Sequence, residues 1–217
     1  MPSLGCRAVL LDLDGVLVDS RRCIELVWQT WARERGLDYR PFLDIAHGRR
    51  TSETVRLAAP DLDPKVEARA LDKLEEAETR GLEPGQGAAA LIAALGDGRW
   101  AVVTSGNRAV ATLRLRTAGL PIPRVFVTAD DVRRGKPDPE PYLLAARLLG
   151  LAPSDCVVVE DSPTGLAAGK AAGMPVVAVL TTHGPDALAA ADARVASLAD
   201  LGVEPRTRDQ DIVVTWP

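Results

Sequence analysis

Cysteine and long apolar runs are both scarce in this chain. Its three cysteines, Cys6, Cys23 and Cys156, are widely separated and contain no close pair that indicates a metal knuckle. No apolar run reaches the roughly 18–20 residues that cross a bilayer, and residues 1–7 lack the apolar stretch of a secretion signal. We therefore expect reduced, buried thiols, a cytoplasmic location and no membrane partner.

An excess of charge of either sign is also lacking. Lys and Arg number 26 against 30 Asp and Glu, which leaves a net charge of −4 and gives no reason to expect nucleic acid as a partner. The 47% of hydrophobic residues and the mean hydropathy of +0.02 are typical of a globular protein. A chain of 217 residues is long enough to bury a full core. We expect a monomer, with a dimer as the alternative.

Short apolar runs alternate with longer segments of helical periodicity. The predicted strands are Ala8–Leu11, Trp100–Thr104, Val125–Val127, Cys156–Glu160 and Val176–Leu180. The predicted helices between them include Arg108–Ala118, Pro139–Leu149 and Thr164–Ala172, each followed by a glycine suited to a left-handed cap. Such alternation predicts βαβ units, and therefore a Rossmann-like α/β fold with a parallel sheet flanked by helices.

Residues 20–82 interrupt this alternation, because their pattern is helical throughout. The apolar face of the predicted helix Pro64–Arg80 consists of Val66, Ala70, Leu71, Leu74 and Ala77. We interpret residues 20–82 as a small all-helical cap domain inserted after the first strand, and residues 1–19 and 83–217 as the α/β core domain. The hinges are expected near Asp19–Arg21 and Leu82–Gly87.

The last dozen residues, Arg206–Pro217, are harder to interpret. Their apolar part, Ile212–Val214, is compatible with a short edge strand or with a partly ordered tail. No function is predicted for this segment.

Polar residues follow the first predicted strand at the end where an open parallel sheet binds ligands. Asp12 and Asp14 lie two residues apart, and Gly15 permits a sharp turn beside them. Two such carboxylates repel and need a cation, a shared proton or water. The alternative is a solvated loop, since Asp and Gly are common in turns, but the unbroken apolar run before Asp12 favours a strand end.

A second polar segment, Thr104-Ser105-Gly106, joins a strand to a helix. A hydroxyl group and free backbone N–H groups at a helix start form an anion site. The alternative is an ordinary helix cap by Ser105 or Asn107. A third segment carries Lys136, whose ammonium group would offset phosphoryl and carboxylate charge; here the alternative is a solvated basic loop.

The fourth segment places Glu160 and Asp161 at the end of an apolar strand and before a helix. Such hard oxygen ligands suit Mg²⁺. The alternative is that acidic residues are favoured there by the dipole of the following helix.

The motifs DLDGVLVDS, TSGN, GKPDPEPY and VVEDSPTGLAAGKAAGMPVVAV, in this order, resemble the four motifs of the haloacid dehalogenase superfamily over nearly the whole chain. The helical insert is similar to the small cap of the phosphoglycolate-phosphatase-like branch. Within that branch, residues 100–182 most resemble sugar- and polyol-phosphate phosphatases. Dehalogenases of this superfamily lack an acid at the position of Asp14, so its presence favours phosphate esters as substrates.

The resemblance implies catalytic roles for Asp12, Asp14 and Lys136. Asp12 would attack phosphorus and form an aspartyl phosphate. Asp14 would protonate the leaving alkoxide and then deprotonate the hydrolytic water. Lys136 would balance charge beside Asp12.

The resemblance also implies the phosphate and metal ligands. Thr104, the backbone amide of Ser105 and the adjacent Gly106 would bind the phosphoryl group, together with Lys136. Mg²⁺ would be held by Asp12, by the backbone carbonyl of Asp14 and by Asp161, with Glu160 either a direct ligand or just outside the ligand sphere. These residues form the expected core of the site.

The insert is expected to supply substrate contacts, and Arg49 and His47 are the candidates. The alternative is that Arg49 and Arg50 lie at the start of a helix capped by Thr51. The leading functional hypothesis is a phosphatase acting on small sugar, polyol or glycolate phosphates. One alternative is a phosphomutase of the β-phosphoglucomutase type. The other is a non-catalytic phosphate-binding protein, and the complete set of motif residues disfavours this second alternative.

Overall fold

The computed structural model describes residues 1–205 and 212–217. Its strands are β1 (Ser3–Cys6), β2 (Ala8–Leu11), β3 (Val18–Asp19), β4 (Glu83–Pro84), β5 (Trp100–Val103), β6 (Val125–Val127), β7 (Cys156–Glu160), β8 (Val176–Val179), β9 (Ala193–Val195), β10 (Gly202–Pro205) and β11 (Ile212–Thr215). Its α-helices are α1 (Arg21–Arg35), α2 (Arg40–Ala46), α3 (Thr51–Ala58), α4 (Pro64–Ala77), α5 (Ala88–Leu95), α6 (Arg108–Thr117), α7 (Glu140–Leu149) and α8 (Pro163–Ala171).

A parallel sheet of six strands, in the order β6-β5-β2-β7-β8-β9, forms the centre of the protein. Strand β2 is completely buried, and its side chains alternate between two cores. Val9 and Leu11 pack with apolar residues of α5 and α6 on one face. Ala8 and Leu10 pack with residues of α7 and α8 on the other. Burial on both faces explains why these strands are apolar runs without polar alternation.

The predicted α/β class and the five predicted strands are confirmed, with small differences at their ends. Thr104 and Leu180 lie one residue beyond β5 and β8. The glycines at 119, 150 and 173 all have positive φ just after helices, as predicted. The sequence reading missed β9, a three-residue strand at the sheet edge that contains the exposed Arg194.

The four helices of the 21–77 segment pack around an apolar centre of their own. Trp31 and Val55 are fully buried there, and Phe42 stacks on Trp28. The segment is connected to the α/β core through the short antiparallel pair of β3 and β4, which lie at its two ends. The predicted helical character of this region is confirmed.

Helix α4 differs from its prediction in length and in its buried face. It begins after Asp63, whose side chain accepts hydrogen bonds from the amides of Lys65 and Val66, and it ends at Ala77 rather than at Arg80. Leu71 is buried, but Val66 is 57% exposed and Ala77 is also exposed. The apolar stripe is therefore narrower than predicted, because Ala70, Leu71 and Leu74 are the residues of α4 that pack in the apolar centre of the segment.

The C-terminal strand β11 lies in the middle of a separate antiparallel sheet, in the order β1-β11-β10. Of the two alternatives for Ile212–Val214, the short strand is confirmed, but its place at an edge is not, because β1 and β10 pair with both sides of β11, and Ile212 and Val214 are buried. Residues 206–211, which belonged to the same prediction, lie outside the described residues. Within the described part of the chain, no helix combines the length and apolar character needed to cross a membrane. The expected monomeric state and cytoplasmic location stay predictions.

The cysteine thiols provide a direct test of this packing. Burial raises the pKa of both Cys23 and Cys156 to about 11. We expect both thiols to react with Ellman's reagent at pH 8 at least roughly 100-fold more slowly in the folded protein than in concentrated urea, because the thiolate is the reactive form. The variants Cys23→Ser and Cys156→Ser show which thiol gives each phase of the reaction with Ellman's reagent. Fast labelling of either thiol in the native protein would contradict the described core.

Candidate active site

The ends of the three central strands bring the predicted site residues together. Asp12 directly follows β2, Thr104 follows β5 and Glu160 ends β7. Because β5, β2 and β7 are parallel neighbours, these residues lie at the same edge of the sheet, as the sequence predicted. A cavity at this edge is lined by residues from the sheet edge, α6 and the helical segment: Asp12, Asp14, Thr104, Ser105, Gly106, Arg114, Ile24, Trp28, Ala46, His47, Gly48, Arg49, Thr51, Thr54 and Glu75.

The Lys136 ammonium group lies at the centre of the buried polar cluster. Its Nζ donates hydrogen bonds to Asp12 Oδ1 at 2.7 Å, Glu160 Oε1 at 2.6 Å and the Val103 carbonyl at 3.0 Å. The side chain is only 1% exposed. The ion pairs raise the pKa of Lys136 although burial opposes this. Lys136 is therefore a fixed cation, and the alternative of a solvated basic loop is wrong.

Glu160 is held by donors on both carboxylate oxygens. Oε1 accepts from Lys136 and from the Tyr142 hydroxyl at 2.7 Å. Oε2 accepts from the amide of Asp161 and from the amide and hydroxyl of Ser162, at 3.0–3.2 Å. Although burial opposes ionisation, Lys136 and these hydrogen bonds lower the pKa of Glu160. Tyr142 belongs to the GKPDPEPY segment, but the sequence alone assigned it no role.

The acidic cluster carries more negative charge than Lys136 can balance. One carboxylate oxygen each of Asp12, Glu160 and Asp161 lies within 4.8 Å of the others, and all three residues are buried. Burial, with the neighbouring carboxylates, raises the pKa of Asp12 to about 7 and that of Asp161 well above its usual value. Clustered hard oxygen donors of this kind fit a divalent cation, which would relieve the repulsion.

The position of Asp161 depends on Gly15 and on the segment after β8. Thr182 Oγ1 donates to Asp161 Oδ2 at 2.6 Å, and His183 Nδ1 lies 3.0 Å from the Asp161 carbonyl oxygen. Gly15 has a φ of +79°, and a Cβ atom there would lie 1.9 Å from Asp161 Oδ2. Only glycine therefore allows the turn after Asp14 to approach Asp161.

The Asp14 carboxylate is not part of this cluster and has two donors of its own. Ser20 Oγ donates to Oδ1 at 2.6 Å, and Arg114 Nη1 donates to Oδ2 at 2.6 Å. Arg114 Nη2 in turn donates to Glu75 Oε1 at 2.7 Å. The sequence reading missed Arg114 and Glu75. The available signal was a basic residue on the otherwise apolar face of α6, next to the buried Leu115.

In the segment after β5, some polar side chains lie at the cavity and another caps the following helix. Thr104 Oγ1 accepts from the Gly106 amide at 3.1 Å, and Thr104 is buried at the cavity wall. Ser105 Oγ donates to the Gly48 carbonyl at 2.8 Å and so contacts the helical segment. Asn107, not Ser105, caps α6 by accepting from the Val110 amide. Thr104, Ser105 and Gly106 remain together at the cavity.

The helical segment covers one side of the cavity with the predicted residues His47 and Arg49. Burial lowers the pKa of His47. Arg50, in contrast, reaches into the α/β core and donates to the carbonyls of Ala129, Val132 and Arg133. Thr51 is the first residue of α3 and does not cap it, so the interpretation of Arg49 and Arg50 as decoration of a Thr51-capped helix was wrong.

Loss of Lys136 tests the charge balance of the cluster. We expect Lys136→Met to lower the free energy of unfolding by about 3–5 kcal/mol, because it leaves two buried carboxylates without their cation. Lys170→Met is the matched control, since Lys170 pairs with Asp192 at the surface, where both side chains are 37% exposed; a change of about 0–1 kcal/mol is expected there. Urea unfolding at pH 7 measures the free energy of unfolding of both variants. Equal losses of stability would contradict the role of Lys136 as the cation of the buried cluster.

Comparison with known proteins agrees with this geometry. The family model for haloacid dehalogenase-like hydrolases matches residues 6–173. The chain is 46% identical to hexitol phosphatase A from Escherichia coli over 181 residues, which are 81% of this chain and 84% of that protein. It is 36% identical to glycerol-1-phosphate phosphohydrolase 2 from Saccharomyces cerevisiae over 202 residues, 86% and 79% of the two proteins.

Among solved structures, the β-phosphoglucomutase of Clostridium difficile has a similar fold, with a TM-score of 0.72 over 91% of this chain and 93% of that chain. The two sequences are 21% identical, which shows the fold alone. The family match covers most of the chain, the first three motifs and the fourth motif as far as Gly173, and the expected resemblance is confirmed. The chain belongs to the haloacid dehalogenase-like hydrolase family.

Proposed function

We propose that this protein is a Mg²⁺-dependent phosphatase that hydrolyses small polyol or sugar phosphates through an aspartyl phosphate. The observation that carries the proposal is the buried Asp12, whose Oδ1 is held by Lys136 while its side chain borders the cavity that Thr104 and Asp14 also line. The similarity to a hexitol phosphatase and to a glycerol-1-phosphate phosphohydrolase supports this substrate class.

The first step transfers the phosphoryl group to Asp12. Because Lys136 holds Oδ1, Oδ2 is the oxygen that attacks phosphorus, and the bond from phosphorus to the ester oxygen breaks. The electron pair of that bond goes to the leaving alkoxide, which takes a proton from Asp14. Thr104 and the amide of Ser105 hold a phosphoryl oxygen during this transfer.

The second step returns Asp12 to its starting state. Asp14, now deprotonated, accepts a proton from a water molecule that attacks phosphorus. The bond between phosphorus and Asp12 Oδ2 breaks, and its electron pair stays with the carboxylate. Inorganic phosphate leaves, and Asp14 carries the proton for the next turnover.

The cation would be held by Asp12, Asp161 and the backbone carbonyl of Asp14. When bound, Mg²⁺ neutralises charge between the phosphate and the nucleophile. Glu160 is better placed as a support than as a ligand, because both of its oxygens already accept hydrogen bonds from Lys136, Tyr142 and the Ser162 segment. Its function is then to hold Lys136 beside Asp12.

We propose further that residues 20–82 act as a cap over the site, hinged at the pair of β3 and β4. The contacts of Ser105 with Gly48 and of Arg50 with three core carbonyls support this role. Both sets of contacts join the helical segment to loops that carry Thr104 and Lys136. Closure would bring Arg49 and His47 to the leaving group and exclude water during the first step.

A phosphate-release assay tests the reaction. We expect release from glycerol 1-phosphate and from hexitol phosphates with Mg²⁺, none with EDTA, and a loss to background in Asp12→Asn, because the amide is not a nucleophile. Asp97→Asn is the control. Asp97 is an exposed acid in the loop before β5, at the amino-terminal ends of the strands and away from the site. This variant should retain wild-type rates.

Two results would contradict the proposed reaction. Release that persists in Asp12→Asn would exclude the aspartyl phosphate. Conversion of glucose 1-phosphate to glucose 6-phosphate with a bisphosphate primer, without phosphate release, would favour the alternative of a phosphomutase.

The Arg50 contacts test the proposed closure. We expect Arg50→Gln to raise KM for polyol phosphates by about 5–50-fold, because it removes hydrogen bonds from a charged donor to three carbonyls of the core, each worth roughly 1.5–3 kcal/mol. Arg56→Gln is the control, as Arg56 is exposed on α3, the helix that begins directly after Arg50. Unchanged KM in Arg50→Gln, with Arg56→Gln equal to wild type, would show that these contacts do not contribute to closure.

A further inference from the structure

A buried arginine connects the proposed general acid to the helical segment. Arg114 extends from α6 of the α/β core and its side chain is 4% exposed. One of its terminal nitrogens lies 2.6 Å from Asp14 Oδ2, and the other lies 2.7 Å from Glu75 Oε1 on α4. Arg114 therefore forms a bridge between the two acids, which are contributed by different parts of the chain.

Both carboxylate oxygens of Asp14 are oriented by this arrangement. Ser20, at the start of the helical segment, donates to Oδ1, while Arg114 donates to Oδ2. An arginine uses a planar fork of donors, so contacts with two partners restrict its orientation more than a single contact does. The carboxyl group of Asp14 is consequently held between a residue of the segment and a residue of the core.

Glu75 is needed for Arg114 to remain in this position. A buried guanidinium group is costly unless its charge and its N–H groups have partners. Glu75 supplies a second acceptor, and it borders the same cavity. Because Glu75 lies on α4 and Arg114 on α6, their contact exists only when the helical segment is seated on the core.

We propose that Arg114 is a positioning residue for Asp14, and that Glu75 makes this positioning depend on the seating of the helical segment. The proposal rests on the proposed function, since it concerns delivery of the proton to the leaving alkoxide. It implies that Arg114 matters most for substrates whose leaving group needs that proton. A p-nitrophenolate ion leaves without a proton, whereas a polyol alkoxide does not.

The experiment compares two substrates in the first turnover, where leaving-group release precedes hydrolysis of the aspartyl phosphate. Rapid-quench kinetics with Mg²⁺ give the rate constant for glycerol 1-phosphate and for p-nitrophenyl phosphate. We expect Arg114→Gln to slow the glycerol reaction at least about 10-fold, within the range of general acid catalysis, and the p-nitrophenol reaction less than about 3-fold. Arg114→Lys should restore part of the difference, because it keeps the charge without the fork.

Glu75 is tested by a matched pair of variants. Glu75→Ala removes the acceptor and should give the same selective loss, whereas Glu75→Gln keeps an amide oxygen for Arg114 and should stay within about 3-fold of wild type for both substrates. The double variant Arg114→Gln/Glu75→Ala should be no slower than Arg114→Gln alone, as expected for residues that act together.

The outcomes separate this inference from the proposed function. Equal losses for both substrates in variants that unfold like wild type would show that Arg114 is only structural. If Arg114→Gln does not fold, Arg114→Lys and Glu75→Ala carry the comparison, and equal losses in these overturn the inference. A wild-type protein that releases neither leaving group, or releases both after Asp12→Asn, would overturn the proposed function and this inference together.

Discussion

The burial of Lys136 between Asp12 and Glu160 is the constraint on which the rest of the site depends. A lysine that is 1% exposed keeps its charge only where acids are adjacent, and two buried acids need the lysine equally. This mutual requirement joins β2, β7 and the loop before α7. Tyr142 and Ser162 complete the hydrogen bonds of Glu160, so the position of Asp12 depends on residues that do not line the cavity.

The charge that Lys136 leaves unbalanced is concentrated at Asp12 and Asp161. Burial of Asp12 and Asp161 makes two neighbouring carboxylates unfavourable without a cation. Gly15 and Thr182 keep Asp161 close despite this repulsion. The close approach of Asp12 and Asp161 therefore lowers stability through charge repulsion. A divalent cation bound between them would remove this repulsion and leave both carboxylates in place.

The helical segment has its own apolar centre, and several of its contacts with the α/β core are hydrogen bonds between polar groups. Arg50, Ser105 and Arg114 make directional hydrogen bonds across this boundary. Such contacts can be broken and remade without disrupting either core, unlike an interface of interdigitated apolar side chains. The arrangement suits an enzyme that has to admit a substrate and then exclude water.

Local patterns in the sequence determined the α/β class, five strands of the main sheet, the helical character of residues 20–82 and the motif residues at the strand ends, because apolar runs, turn formers and short motifs are all contiguous. Local pattern did not reveal the central place of β11 or the roles of Tyr142, Arg114 and Glu75. Arg114 and Asp14 are 100 residues apart, and a charged residue on an apolar helix face has no defined partner until the chain folds. The motif resemblance placed Lys136 beside Asp12. Only the tertiary structure decided that Glu160 shares Lys136 and that Asp14 and Glu75 share Arg114, since that depends on which elements pack together.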